Sequence, residues 1–315
     1  MTYSILGRTG LRVSALGFGA SALGGEIDPR EGERAVRRAI ELGITFFDVA
    51  PCCGRTLAEE RLGNFLAGAR DRVVLATKVG RYDIRDFDFS AKRVVRSIDE
   101  SLLRLRTDHI DVIQAQDVEF TQFEEIVNIT LPALERLKER GKVRFIGVTD
   151  YPLGMLERIL EATAVDTVLS YCRYDLLDTT LAARLGPLAT RQGVGLISAS
   201  PFHMRALTDE GAPARHPLPK RVRDAASRAA VLCRTRGASL AQLALRFALS
   251  NTPAEVTLVG MKSTREVDEN VGALERPIDR GLLEQVVRIV APVRNLPWKS
   301  GLSENSDPGA VEPGS

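Results

Sequence analysis

Ile44-Thr45-Phe46-Phe47-Asp48-Val49-Ala50-Pro51-Cys52-Cys53-Gly54 joins an apolar, β-branched and aromatic run to an acid and two adjacent thiols. The run reads as a strand, and the turn that follows it holds the thiols. A carboxylate where such a strand leaves the core is costly unless it is paired. Asp48 therefore needs a cation, and Lys78 ends the next apolar run in the chain.

The same pattern repeats on either side. Strand candidates run over Ala15 to Gly19, Ile44 to Ala50, Val73 to Val79, Ile110 to Gln116, Arg144 to Asp150, Val165 to Cys172, Gly193 to Ser200 and Val256 to Met261. Helix-like stretches separate them: Glu31 to Leu42, Leu57 to Leu66, Ala91 to Leu105, Leu131 to Arg140, Leu153 to Ala162, Thr180 to Gln192 and Leu240 to Ser250. Strands apolar on both faces that alternate with helices imply a parallel sheet covered on both sides. Eight such units predict an α/β fold of the (β/α)8 TIM-barrel type, a single domain over residues 1–300, and not an open doubly wound sheet. Tyr3 to Leu6 with Arg12-Val13 predicts a short N-terminal hairpin across the lower end of the barrel. The connections Arg81 to Ser90 and Phe202 to Pro219 are long for a compact domain and read as lids or binding loops at the C-terminal face. Residues 301–315, rich in Gly, Ser, Pro and Glu, predict a disordered tail.

The 315-residue chain is 44% hydrophobic and 27% charged, with a net charge of +2. That balance argues against a nucleic-acid partner or a membrane surface. No apolar run approaches the roughly 18 residues that a membrane span needs, and no charged-then-apolar leader opens the chain. A cytoplasmic protein acting on a small-molecule substrate is expected. Cys52, Cys53, Cys172 and Cys233 lack metal-site spacing, and adjacent cysteines seldom bridge each other, so reduced thiols and no metal are expected. Nothing in the sequence sets an oligomeric state.

Catalytic groups of such barrels stand at the C-terminal ends of the strands. There this chain carries Asp48, Lys78, Gln116, Asp117, Thr149, Asp150, Tyr171, Ser198, Ser200 and Lys262. Asp48 and Lys78 end adjacent strands, where a buried ion pair is natural and sets pKa values. The pattern Phe47-Asp48-x-Ala50-Pro51-x-x-Gly54-x-x-x-x-Glu59-x-x-Leu62-Gly63 resembles the signature segment of the aldo-keto reductases. Ala76-Thr77-Lys78-Val79, Gly147-Val148-Thr149-Asp150, Ala199-Ser200-Pro201, Gly260-Met261-Lys262-Ser263 and Glu269-Asn270 follow in family order. The stretch Asp111 to Phe120, followed by Ser170-Tyr171-Cys172-Arg173-Tyr174, is most similar to the L-galactose or L-fucose-type sugar dehydrogenase branch.

The resemblance implies a nicotinamide-dependent oxidoreductase. In that family an Asp and a Lys tune a Tyr acid/base, and a His orients the substrate carbonyl. Asp48 and Lys78 match the first two; the Tyr position falls on Cys53 and the His position on Gln116. Tyr3, Tyr82 and Tyr151 lie elsewhere in sequence, as do His109, His203 and His216. Cys53, at a helix start beside Lys78, is expected to favour a thiolate. Gln116 keeps a neutral amide donor. The structural alternative for Cys52-Cys53 is two small residues filling the space of two aromatics. By the same resemblance Thr149 and Asp150 hold the nicotinamide amide, with Asp150 where the family keeps Asn, and Tyr171 stands where Gln is frequent. Ser200 and Pro201 lie near the pyrophosphate, and Gly19, Ala20 and Ser21 line the same groove. Lys262, Ser263, Arg265, Glu269 and Asn270 form the adenosine end. Lys262 with Arg265 suits a 2′-phosphate, which favours NADP as cofactor, with NAD the alternative.

Other motifs carry less. Gly17 to Gly25 is not a dinucleotide fingerprint, because no helix-opening GxGxxG follows the strand. Arg34, Arg37 and Arg38, spaced among Glu31, Glu33 and Glu41, read as a solvated helix face, as does the Arg-rich segment Lys220 to Arg236. Trp298 either closes over the pocket or packs under the barrel helices. Two functions stay open. One is an oxidoreductase of aldo-keto reductase type with an altered acid/base set, acting on a carbonyl, hydroxyl or conjugated small molecule of specialised metabolism. The other is a barrel that has lost hydride transfer and catalyses elimination, isomerisation or cyclisation, or only binds a ligand.

Overall fold

A computed structural model of the chain describes residues 1–250 and 252–314. Strands β1 (Tyr3–Ile5) and β2 (Arg12–Ser14) form the expected antiparallel hairpin, with Tyr3 opposite Ser14. The barrel begins with β3 (Leu16–Gly19), β4 (Phe46–Asp48) and β5 (Val74–Val79). A small ribbon, β6 (Arg81–Asp83) and β7 (Asp86–Phe87), occupies the long connection after β5. The barrel continues with β8 (Ile110–Gln116), β9 (Val143–Asp150), β10 (Thr167–Tyr171), β11 (Gly195–Ala199) and β12 (Val256–Gly260), and closes where β12 pairs with β3. All eight barrel strands run parallel, as the alternation of apolar runs and helices requires.

Side chains alternate along each strand, so every second residue enters the barrel. Phe46, Val74, Ala76, Val112, Leu169, Ile197, Val256 and Leu258 fill its interior. Leu6, Leu11 and Val13 of the hairpin join that cluster and plug the lower end. The opposite parity packs outward under the helices: Phe18 and Phe47 stack with ring centroids 5.2 Å apart beneath the helix Pro29–Glu41. Each such side chain contributes about 1.5–3 kcal/mol on burial. Helix starts follow from caps. Asp28 accepts from Arg30 N ahead of Pro29, Ser90 caps Ala91–Leu105, and Ser263 caps Thr264–Glu275.

Two expectations change. The segment Lys220–Thr235 is a helix whose Ala225, Ala226, Ala229 and Cys233 are buried, so it is more than a solvated face. The tail from residue 301 is not disordered over its described part; residue 315 lies outside the described residues. Asp307 is buried, accepts from Leu153 N at 3.1 Å and Gly154 N at 2.9 Å, and pairs with Arg173 and Arg184. Composition missed this because the tail is held by a carboxylate at a helix start and by charge pairs, not by apolar area. Trp298, just before it, stacks on Tyr151 with centroids 3.8 Å apart and is buried in a cluster that includes Val222, Ala226 and Val286 of the outer helices.

Candidate active site

Asp48, Lys78, Gln116, Thr149 and Tyr171 share the inward parity of their strands and end them at one face. Lys78 Nζ lies 2.5 and 2.6 Å from the two Asp48 oxygens and 3.0 Å from Val49 O, so all three ammonium protons are used. Burial pushes the Asp48 carboxyl up, against the pull of Lys78. This is the buried pair the sequence called for.

The thiols stand on the turn after β4. Gly54 has φ +61°, and a Cβ there would lie 2.2 Å from Gly24 O, so the turn is pressed against the loop after β3. Arg55 and Thr56 continue in the left-handed region, at φ 51° and 74°, which costs about 1–2 kcal/mol per residue. Cys52 Sγ lies 3.7 Å from Gln116 Oε1 and donates to it. Cys53 hydrogen-bonds to Cys52, and this bond draws the Cys52 thiol down, helped against burial by Arg81 and Lys78. The same bond, with burial, drives the Cys53 thiol up. The thiol drawn down is therefore Cys52, and not Cys53 as the sequence led us to expect. Lys78 does lower Cys53, but the neighbouring thiol and desolvation outweigh it.

Past β8 the chain places three acids in the wall of the site. Asp117, left-handed at φ 54°, binds Arg81 at 2.5 Å. The sequence reading missed Arg81; its one signal is its place three residues beyond Lys78, in a loop at the C-terminal face. Glu119 and Asp150 are both fully buried. Their carboxyls lie close enough to act on one another, and two buried acids so placed cannot both ionise. Burial and Glu119 push Asp150 well above the usual carboxylate range, and burial raises Glu119 to about 7. Glu119 Oε1 also accepts from Ser300 at 2.8 Å, and Asp150 Oδ1 from Tyr151 N at 2.9 Å. Asp150 has the outward parity of β9 and lies against Glu119 and its own chain, whereas Thr149 has the inward parity and remains at the mouth. Tyr171 stands beside this cluster; burial, then Asp117, Glu119 and Asp150, raise its phenol.

The groove continues over β11, β12 and β3. Ser200 has φ 59° and donates its N–H to Leu258 O at 3.2 Å, followed by buried Pro201. Gly19 O accepts from Met261 N at 3.3 Å, and Ala20 is buried behind it. Lys262 and Arg265 are exposed at the start of Thr264–Glu275, Ser263 caps it, Arg265 lies 3.9 Å from Glu269, and Asn270 is buried. Glu31, read as part of a solvated face, in fact accepts from Thr264 N at 2.7 Å and Thr264 Oγ1 at 2.8 Å. Those bonds hold its carboxyl down at about 2. The groups follow one another along consecutive strand ends and finish at two exposed cations, an arrangement that fits an extended dinucleotide with its phosphates toward the helix start.

The Aldo/keto reductase family profile matches residues 15–291. The chain belongs to that family. This aldo/keto reductase is 44% identical over 313 residues to L-galactose dehydrogenase of Arabidopsis thaliana, a match covering 95% of this chain and 98% of the relative. It is 28% identical to D-threo-aldose 1-dehydrogenase of a Pseudomonas species, over 85% of this chain and 92% of the relative. Among solved structures, the aldo-keto reductase AKR11C1 from Bacillus halodurans in its holo form matches with a TM-score of 0.79 at 25% identity, covering 97% of this chain and 99% of that one. As an aldo/keto reductase with these relatives, the protein is an oxidoreductase, and its closed parallel barrel is the family's fold. Among the described residues no group of three His, Cys, Asp or Glu is placed to hold a metal ion, and no helix is long and apolar enough to cross a membrane.

Proposed function

We propose that this aldo/keto reductase oxidises an aldose at its anomeric carbon with a nicotinamide dinucleotide, using Cys52 where the family uses a phenol. The observation that carries this reading is the Cys52 thiol against Gln116, with the Asp48–Lys78 pair beneath it. Its lowered pKa suits a base that takes the proton from the C1 hydroxyl. Cys53, whose thiol is driven up, keeps its own proton and supports charge on the Cys52 sulfur as that thiol gives up its proton. Lys78, fixed by Asp48 and Val49 O, stabilises negative charge developing on the sugar oxygen, and the Gln116 amide orients that oxygen. A nicotinamide held at this mouth would supply the acceptor for the hydride leaving that carbon. The aldose dehydrogenases among the relatives support the substrate class.

Thr149 and Tyr171 would hold the nicotinamide end, Gly19, Ala20, Ser200 and Pro201 the diphosphate, and Lys262, Ser263, Arg265, Glu269 and Asn270 the adenosine. Lys262 and Arg265 favour NADP over NAD. The test is steady-state oxidation of a panel of aldoses across pH. Cys52→Ser is expected to lower kcat by ~10²–10⁴-fold and to remove the acidic limb of the profile. Cys53→Ser is expected to move that limb to higher pH. Unchanged turnover and profile in Cys52→Ser would remove the thiol from the mechanism.

A further inference from the structure

Two of the four cysteines, Cys172 and Cys233, are buried with no exposed surface. Cys52 and Cys53 are half-buried, free, adjacent, and together on one rigid turn at the mouth of the barrel. Their backbone is pinned. Cys53 N donates to Ala50 O at 3.1 Å, Ala58 N donates to Cys53 O at 3.2 Å, and the contact of Gly54 with Gly24 holds the turn from behind. Consecutive Cα atoms stand only about 3.8 Å apart, whereas a disulfide prefers about 4.4–6.8 Å. Direct bridging is therefore disfavoured and the two thiols stay available. An atom placed between the two sulfurs replaces the S–S bond with two bonds and enlarges the ring by one atom, which relaxes that constraint.

We propose that Cys52 and Cys53 form a dithiol capture site for trivalent, thiophilic arsenic. With an organoarsenic oxide the step balances without an oxidant. Each S–H bond breaks, two As–S bonds form, and the arsenic-bound oxygen leaves as water with both protons. Lys78 and Arg81 lie near enough to favour the attacking thiolate. Once the first As–S bond forms, the second thiol is one peptide away, so ring closure is intramolecular. Such tethering raises retention by ~10²–10⁴-fold over a single bond.

The test is phenylarsine oxide added to the folded, full-length protein, read by intact mass and by counting thiols. One adduct per chain is expected, with loss of both reactive thiols, resistant to excess 2-mercaptoethanol and reversed by 2,3-dimercaptopropanol. Cys52→Ser and Cys53→Ser should each retain the adduct ~10²-fold less well, while a Cys172→Ser/Cys233→Ser variant should retain it like wild type. No adduct on the wild type, equal retention by either single variant, or an adduct on Cys52→Ser/Cys53→Ser would each overturn the proposal. Because the readout is mass, it stands or falls separately from aldose oxidation.

Discussion

Cys52 and Cys53 are separated by one peptide bond, yet their thiols are displaced in opposite directions. Counting five residues from Asp48 reaches Cys53, and the count gives only a backbone position. It does not say which short side chain reaches the pocket: a phenol spans the distance from either direction, whereas a thiol is confined to the side its Cα faces. That is why Gln116, Asp48 and Lys78 were legible in sequence while the sulfur that meets Gln116 was not. Glu31 was hidden for a related reason, since its helical spacing with Arg34 looks like a solvated pair and its bond to Thr264 spans 233 residues. At this scale two outcomes are expected. Lys78→Met leaves the Asp48 carboxyl buried without its partner and should cost about 3–5 kcal/mol in urea unfolding, with oxidation abolished. Glu31→Gln removes a carboxylate beside Lys262 and Arg265, so the Kd ratio of NAD to NADP, read by nicotinamide fluorescence, should rise; a fall would place the 2′-phosphate elsewhere.

The barrel strands and most helices were legible because each obeys one period, and caps such as Asp28 and Ser263 mark their starts. The tail obeyed no period. Its attachment comes from Asp307, which satisfies two backbone N–H groups at the start of Leu153–Ala162 and faces the buried guanidinium of Arg173. Arg173 in turn packs over Tyr151 at 4.5 Å, the ring on which Trp298 stacks. The segment is therefore continuous with the roof of the site. Asp307→Ala should cost about 1–3 kcal/mol, because it leaves the Leu153 and Gly154 N–H groups without their acceptor and removes one of the two carboxylates on Arg173, which keeps Asp178. It should also accelerate amide exchange in the Trp298 region more than in the barrel strands. Uniform exchange across the chain would mean that the tail does not secure that roof.

Over the whole molecule, the acids in the wall of the site tie stability to pH. Glu119 lies against Asp150 and Ser300, with Asp117 nearby, and its pKa is raised from 4.5 to about 7. Between those values the folded chain keeps a proton that the unfolded chain has released. Stability present below pH 4.5 is thus lost as pH rises through about 7, on the order of 3 kcal/mol for this group. Glu119→Gln should flatten that decline in a series of thermal unfolding curves, and an unchanged slope would assign it to other groups. None of this was visible in sequence, since the pairing of Glu119 with Asp150 depends on a loop folding back over the end of β9. The central claim concerns catalysis: that an aldo/keto reductase barrel with a thiol and an amide at its mouth still transfers hydride from a sugar. The most direct measurement is nicotinamide reduction by the wild-type protein with L-galactose and related aldoses. Turnover that requires Cys52 is the expected result; tight nicotinamide binding without turnover of any aldose would contradict it.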